Sequence, residues 1–118
     1  MTLVFCIGQS AHLFAAELLI VEQSDCPYCD RFNDEIGQVY AKTDEGKVAP
    51  LVRLQLRDTW PKTYESIAKP AVTPTFILVH NGKEIDRLHG YQGDEFFWFL
   101  LNDMLDKLPE NVQTQNRL

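Results

Sequence analysis

Basic side chains are in deficit: 11 Lys and Arg stand against 17 Asp and Glu, a net charge of −6. A protein that neutralises nucleic-acid phosphates needs a basic footprint, so the balance argues against that class. No apolar run reaches the ~18–20 residues of a membrane-spanning helix. Cysteine is scarce as well, with three in 118 residues. A chain of this length buries a core without disulfide staples. Gly and Pro, six each, are too few for a collagen-like chain, and 45% apolar with 24% charged residues is the composition of an ordinary globular domain rather than a disordered one. The length is that of one domain.

Charge is missing altogether from residues 1–16, MTLVFCIGQSAHLFAA, so all 28 charged residues fall in 17–118. An uncharged apolar start ending in small residues reads as the h-region and cleavage zone of a secretory signal peptide, although the basic n-region is lacking. The competing reading is an extra strand or helix over Met1 to Ile7. The chain thus divides into a leader or extension (1–16), a folded domain (17–108) and a polar tail (109–118) expected to fray. Removing the leader removes Cys6 and leaves an even pair, Cys26 and Cys29.

From Glu17 onward, hydrophobic patterning predicts seven elements. Leu18 to Val21 is a continuous apolar run, as in a strand buried on both faces. Cys29, Phe32, Ile36, Val39 and Tyr40 recur at helical spacing, with Asp30, Arg31, Asp34 and Glu35 between them, so Pro27 to Ala41 reads as an amphipathic helix. Pro27 suits its first turn. Thr43 to Lys47 reads as a polar loop, Leu51 to Leu56 as a strand, and Thr59 to Ala68 as a short helix closed by Lys69-Pro70. Thr75 to His80 is rich in β-formers, Asn81-Gly82 is a two-residue hairpin signal, and Glu84 to Leu88 runs back antiparallel. Phe97, Leu101, Met104, Leu105 and Leu108 form a last helical stripe, with Asp94 and Glu95 at its start. The order β-α-β-α-β-β-α implies an α/β fold in which a right-handed parallel unit and a terminal hairpin share a four-stranded mixed sheet covered by helices on both faces.

The chemistry lies at Cys26-Pro27-Tyr28-Cys29. Cys26 falls where the first strand ends and the first helix begins. Unpaired N–H groups and the positive end of the helix dipole favour its thiolate, the nucleophile of disulfide exchange. Cys29, one turn later and within the apolar stripe, is placed to resolve a mixed disulfide. Other readings of the pair are weaker. A structural zinc site needs four ligands, and His80 and His89 lack the usual spacing for a second pair. A c-type haem site needs His after the second Cys, where Asp30 stands. A purely structural disulfide in so short a ring constrains little chain.

A C-x-x-C beside a β-α-β pattern reads as a thioredoxin-like redox motif. Together with Thr73-Pro74-Thr75-Phe76 before the third strand, Asn81-Gly82-Lys83 and Gly90-Tyr91, it makes the chain resemble the thioredoxin superfamily over nearly all of residues 17–108. The segment Gly90 to Trp98 is most similar to exported bacterial thioredoxins of the sulfur-oxidation (SoxS/SoxW-like) type. This resemblance implies a monomeric, periplasmic thiol–disulfide oxidoreductase acting through Cys26 and Cys29. Pro27, Tyr28, Thr73 and Pro74 would flank the substrate, with a cis Thr73-Pro74 bond facing the disulfide. It implies protein disulfides as substrates, a sulfur-carrier protein among them, and a membrane thiol-electron transporter as reductant. It implies no cofactor or metal, since the dithiol is itself the redox group. Cys-Pro-Tyr-Cys is also like glutaredoxins, which leaves a glutathione-dependent enzyme as an alternative, beside a non-catalytic thioredoxin-fold regulator or chaperone. One departure stands out. Thioredoxins carry a buried Asp six residues before the first Cys, and here that position is Ile20. Glu22 and Asp25 are the nearby acids, each read as a solvated acid beside the loop in preference to a substitute proton acceptor for Cys29.

Among the remaining residues, His80 and His89 read as near-surface strand positions. Trp60 reads equally as groove lining or as core. Phe96, Trp98 and Phe99 lie off the last helical stripe and read as boundary core in preference to a partner surface.

Overall fold

The computed structural model describes residues 16–115. Strand β1 (Ala16–Glu22) leads through a four-residue connection into helix α1 (Pro27–Phe32), which runs on as a π-helical turn (Asn33–Gly37) and a 3₁₀ turn (Tyr40–Lys42). Helix α2 (Asp44–Val48), strand β2 (Leu51–Gln55), a 3₁₀ turn (Lys62–Tyr64), strands β3 (Thr75–His80) and β4 (Lys83–His89), and helices α3 (Asp94–Leu105) and α4 (Glu110–Gln115) follow. The strands form one sheet in the order β2-β1-β3-β4. β1 pairs parallel with β2, and antiparallel with β3, which pairs antiparallel with β4. This is the expected mixed sheet, with β1 and β3 at its centre.

Central position explains why β1 reads as an unbroken apolar run. Leu18 and Ile20 face one core with Phe76 and Leu78, while Leu19 and Val21 face a second core with Ile77 and Val79. The first core is closed by Phe32, Ile36 and Tyr40 on the chain after β1 and by Phe97, Leu101, Met104 and Leu105 of α3. The second is closed by Trp60, Tyr64 and Ile67.

Four elements differ from the sequence reading. The helix expected over Thr59 to Ala68 is reduced to the turn Lys62–Tyr64. Pro61 disfavours helical backbone at Trp60, and Pro70 does so at Lys69, which breaks the pattern at both ends. The long helix expected from Pro27 to Ala41 is α-helical only to Phe32; Asn33 and Gly37, both weak helix formers, bound the π turn that follows. The expected loop Thr43 to Lys47 is instead a capped helix: Thr43 Oγ1 accepts the Gly46 N–H at 3.0 Å and donates to the Tyr40 carbonyl at 2.6 Å. Gly46 packs on that backbone so closely that a β-carbon would lie 2.0 Å from the Tyr40 oxygen. The tail after Leu108 forms α4, and Val112, 2% exposed, joins the first core.

The hairpin follows the sequence closely. Asn81 and Gly82 take φ of 54° and 74°, the left-handed pair of a type I′ turn between twisted strands. Ala16, which the composition placed at the end of a leader, opens β1 and pairs with His80. Residues 1–15, with Cys6 and the rest of the expected leader, lie outside the described residues.

Candidate functional site

The turn Gln23-Ser24-Asp25 carries the chain from β1 into α1, with Asp25 at φ 57°, a left-handed conformation that Asp tolerates. Cys26 is therefore the N-cap of α1 and Pro27 its first helical residue. Four N–H groups open any helix without intrahelical partners. Here the Cys26 carbonyl accepts from Asp30 N at 3.1 Å, and Cys26 Sγ accepts from Cys29 N at 3.2 Å. Cys26 and Cys29 are joined as a disulfide with their Cα atoms 5.2 Å apart, so the structure is that of the oxidised form.

Both sulfurs sit below the surface: Cys26 is 6% and Cys29 3% exposed. Burial hardly separates the two, whereas hydrogen bonding does. Cys26 Sγ takes a second donor, the Thr73 hydroxyl at 3.3 Å, from a segment 47 residues away. Pro74 follows at once, buried, with a cis Thr73-Pro74 peptide as the resemblance implied. Its carbonyl accepts from Gly90 N at 2.8 Å, which ties the segment to the end of β4. Pro27 and Tyr28 are exposed beside the pair, Tyr28 to 58%. The structure thus gathers Cys26, Cys29 and Thr73 at the carboxyl end of β1 and the entry to β3, with Pro27, Tyr28 and Pro74 adjoining in the chain.

Two polar clusters fix the helix that carries the pair. Tyr91 packs edge-on against Phe32, its ring centroid 5.5 Å away, and donates its hydroxyl to Glu35 at 2.5 Å. Arg31 also donates to Glu35, at 3.0 Å. These bonds, Tyr91 first and Arg31 second, hold the Glu35 carboxyl below its ordinary range. Burial, and then the Glu35 charge, push the Tyr91 phenol up. The second cluster corrects the reading of Glu22 as a solvated acid. It is 8% exposed, and its Oε1 accepts from Asn33 Nδ2 at 3.0 Å and from Arg53 Nη1 at 2.8 Å. A lone acid in a turn-proximal position reads as solvent-facing; its partner Arg53 lies on another strand and leaves no local signal. Asp25 is exposed, as expected.

Trp60 belongs to the core: it is 9% exposed, donates its indole N–H to the Gln55 carbonyl at 2.9 Å, and carries Lys69 over its ring. Phe96 and Phe99 do not. They are 58% and 73% exposed, and only Trp98 of that trio packs inward, stacked on Tyr40. His80 is half-buried and His89 exposed, in keeping with near-surface strand positions. Gln23, whose amide donates to Thr73 Oγ1 at 2.8 Å, leaves no local signal in the sequence because its partner is 50 residues away.

A family model described as a thioredoxin-like domain matches residues 15–105. Among solved structures, the periplasmic thioredoxin SoxS of Paracoccus pantotrophus, in its reduced form, is 42% identical, with a TM-score of 0.75. That match covers 78% of this chain and 97% of SoxS. Thioredoxins of Fasciola hepatica and Malassezia sympodialis are each 16% identical, with TM-scores of 0.56 and 0.57. Each match covers 80% of this chain, and 86% and 81% of the respective thioredoxin. At that identity they speak for the fold alone. No match was found among curated proteins.

Proposed function

The chain belongs to the thioredoxin-like family and is a thiol–disulfide oxidoreductase, and from that premise we propose that Cys26 attacks and Cys29 resolves in the reduction of protein disulfides. The observation that carries the assignment is the pair of donors on Cys26 Sγ, the Cys29 N–H and the Thr73 hydroxyl. A sulfur that accepts two hydrogen bonds is the one whose anion is favoured.

In the reduced protein the Cys26 thiolate displaces one sulfur of a substrate disulfide, forming a mixed disulfide and releasing a substrate thiolate that takes up a proton. Cys29 gives up its proton and attacks Cys26 Sγ. The second substrate thiolate leaves and is protonated in turn, and Cys26–Cys29 closes as the disulfide. Two electrons and two protons have passed to the substrate. Thr73 and Pro74 offer the edge against which an extended substrate segment lies, and the exposed Pro27 and Tyr28 flank its approach.

The likeness to SoxS supports placing this exchange in the periplasm, within a sulfur-oxidation system. There a sulfur-carrier protein is the partner and a membrane thiol-electron transporter restores the dithiol. In that setting the charge-free start would be a leader removed during export. Among the described residues, no helix is long and apolar enough to cross a membrane.

Trapping tests the assignment. Cys29→Ser leaves the attacking thiol and removes the resolving one, so in an export-competent host it should accumulate dithiothreitol-sensitive complexes, and Cys26→Ser should trap far less. A sulfur-carrier protein among the trapped species supports the sulfur-oxidation setting. Glutathione alone on Cys26 favours a glutaredoxin-like activity. Equal trapping by both variants, or none by either while the wild type still cycles, overturns the roles given to the two cysteines.

A further inference from the structure

The exchange as described leaves Gln23 without a part, yet its amide lies one hydrogen bond from the group that touches Cys26. Gln23 Nε2 donates to Thr73 Oγ1 at 2.8 Å, and Thr73 Oγ1 donates to Cys26 Sγ at 3.3 Å. A hydroxyl has one hydrogen and two lone pairs, and it rotates to suit its neighbours. With an amide N–H on one lone pair, the Thr73 hydrogen is left for the sulfur. Without it, the hydroxyl is free to turn its hydrogen to water and its lone pairs to Cys26.

We propose that Gln23 is a positioning residue that locks the Thr73 hydroxyl as a donor to Cys26 and thereby favours the Cys26 thiolate. The inference rests on the reading of Cys26 as the attacking thiol. The residue type matters as much as its place. A carboxylate at position 23 would accept the Thr73 hydrogen and reverse the relay, while an amide supplies a donor with no charge. Donors in series polarise one another, so the outer bond strengthens the inner one.

Charged groups surround this relay on several elements: Asp25 before α1, Asp30 on it, Glu22 at the end of β1, and Arg57 and Asp58 after β2, the last two sharing a polar recess with Gln23. The Glu22 carboxylate is engaged by Asn33 and Arg53, and Lys69, before Thr73, by the Leu56 and Asp58 carbonyls. All of them are constant across the variants below, so the shift made by the uncharged Gln23→Met reports the relay, while Gln23→Glu adds a charge to the lost donor.

The full chain carrying Cys29→Ser is alkylated with iodoacetamide across pH 4 to 9, and modification of the Cys26 peptide is followed by mass spectrometry. The midpoint of the rate profile is the ionisation of Cys26. Gln23→Met keeps the side-chain length and removes the donor; it should raise the midpoint by about 0.5–1 pH unit, a three- to tenfold loss of thiolate below it. Gln23→Glu should raise it further. In a Thr73→Val background, which has no hydroxyl to orient, Gln23→Met should add less than about 0.2 pH unit. A lowered parent midpoint that Gln23→Met leaves within about 0.2 overturns the relay alone, as does an equal shift in the Thr73→Val background. A parent midpoint at the ~8.5 of a free thiol overturns the attacking-thiol reading and the relay with it.

Discussion

Phe97 and Phe99 stand two residues apart on α3 and should respond to truncation to very different degrees. Phe97 is 2% exposed and lies among the rings of Phe32, Tyr40, Phe76, Tyr91 and Trp98, with centroids 5.2, 6.5, 5.0, 6.2 and 5.2 Å away. Phe97→Ala withdraws the ring from the middle of that cluster, and the five neighbours, held by strand, helix and hydrogen bonds, can close the space only in part. Lost transfer energy and the residual cavity together amount to about 3–5 kcal/mol for such a change. Forfeited edge-to-face contacts place it in the upper half of that range. Against a total stability of about 5–15 kcal/mol this is a large fraction. With a urea dependence of roughly 1.5 kcal/mol per molar, the unfolding midpoint should fall by about 3 M. Phe99, 73% exposed, should lose less than about 0.5 kcal/mol on the same truncation. The assay is equilibrium urea unfolding of the oxidised proteins, followed by far-ultraviolet circular dichroism. A loss under about 1 kcal/mol for Phe97→Ala, or equal losses for the two variants, would refute the placement of α3 against α1.

Reduced wild-type protein treated with iodoacetamide at neutral pH should react first at Cys26, by roughly tenfold over Cys29; equal rates would remove the hydrogen-bond argument for asymmetry. The Glu35 carboxyl, held low by Tyr91 and Arg31, contributes stability that is present above the unfolded pKa of about 4.3 and lost as pH falls through its lower folded value. Glu35→Gln should therefore be less stable than wild type at pH 7, and the gap between the two urea midpoints should narrow as pH falls below about 4.3; a constant gap would show that the ionised carboxylate is not the cause. Mass spectrometry of the protein purified from its native host should find the charge-free start removed at or just before Ala16, and an intact Met1 would count against export by a cleaved leader.

Local pattern carried most of the fold. The strands were legible because β1 and β3 are buried on both faces and read as apolar runs, and because Asn81-Gly82 has one good solution between two strands. Helical spacing found α1 and α3 because each buries a single stripe of side chains. What failed was decided by backbone chemistry or by distant partners. Pro61 and Pro70 override the pattern that suggested a helix between them, and the aromatic and aliphatic side chains of that stretch still fill the second core without one. Phe96 and Phe99 look like core by residue type alone, and only the angular position of Phe97 on α3 decides which ring turns inward. The cysteine pair was legible from spacing and from its place at a strand-to-helix turn. Thr73 came from resemblance, and Gln23 from neither, because the bonds that matter span 47 and 50 residues.

The same distances explain how a six-residue helix can hold a reactive pair steady. Alone, such a helix would not persist in water. It is fixed instead from three sides by residues far away in the chain. Thr73 meets Cys26 at its start. Tyr91 and Arg31 meet on Glu35, just beyond its end. Glu22 and Arg53 bind Asn33 to the sheet. Glu22 shows how these tasks are shared. Its carboxylate is buried, but the Arg53 charge balances it and Asn33 engages the same oxygen, so its chemistry is spent on joining α1 to β1 and β2. The donors that meet Cys26 Sγ are neutral, an N–H and a hydroxyl, and in the exchange proposed above they would favour the thiolate without bringing a further charge into the site.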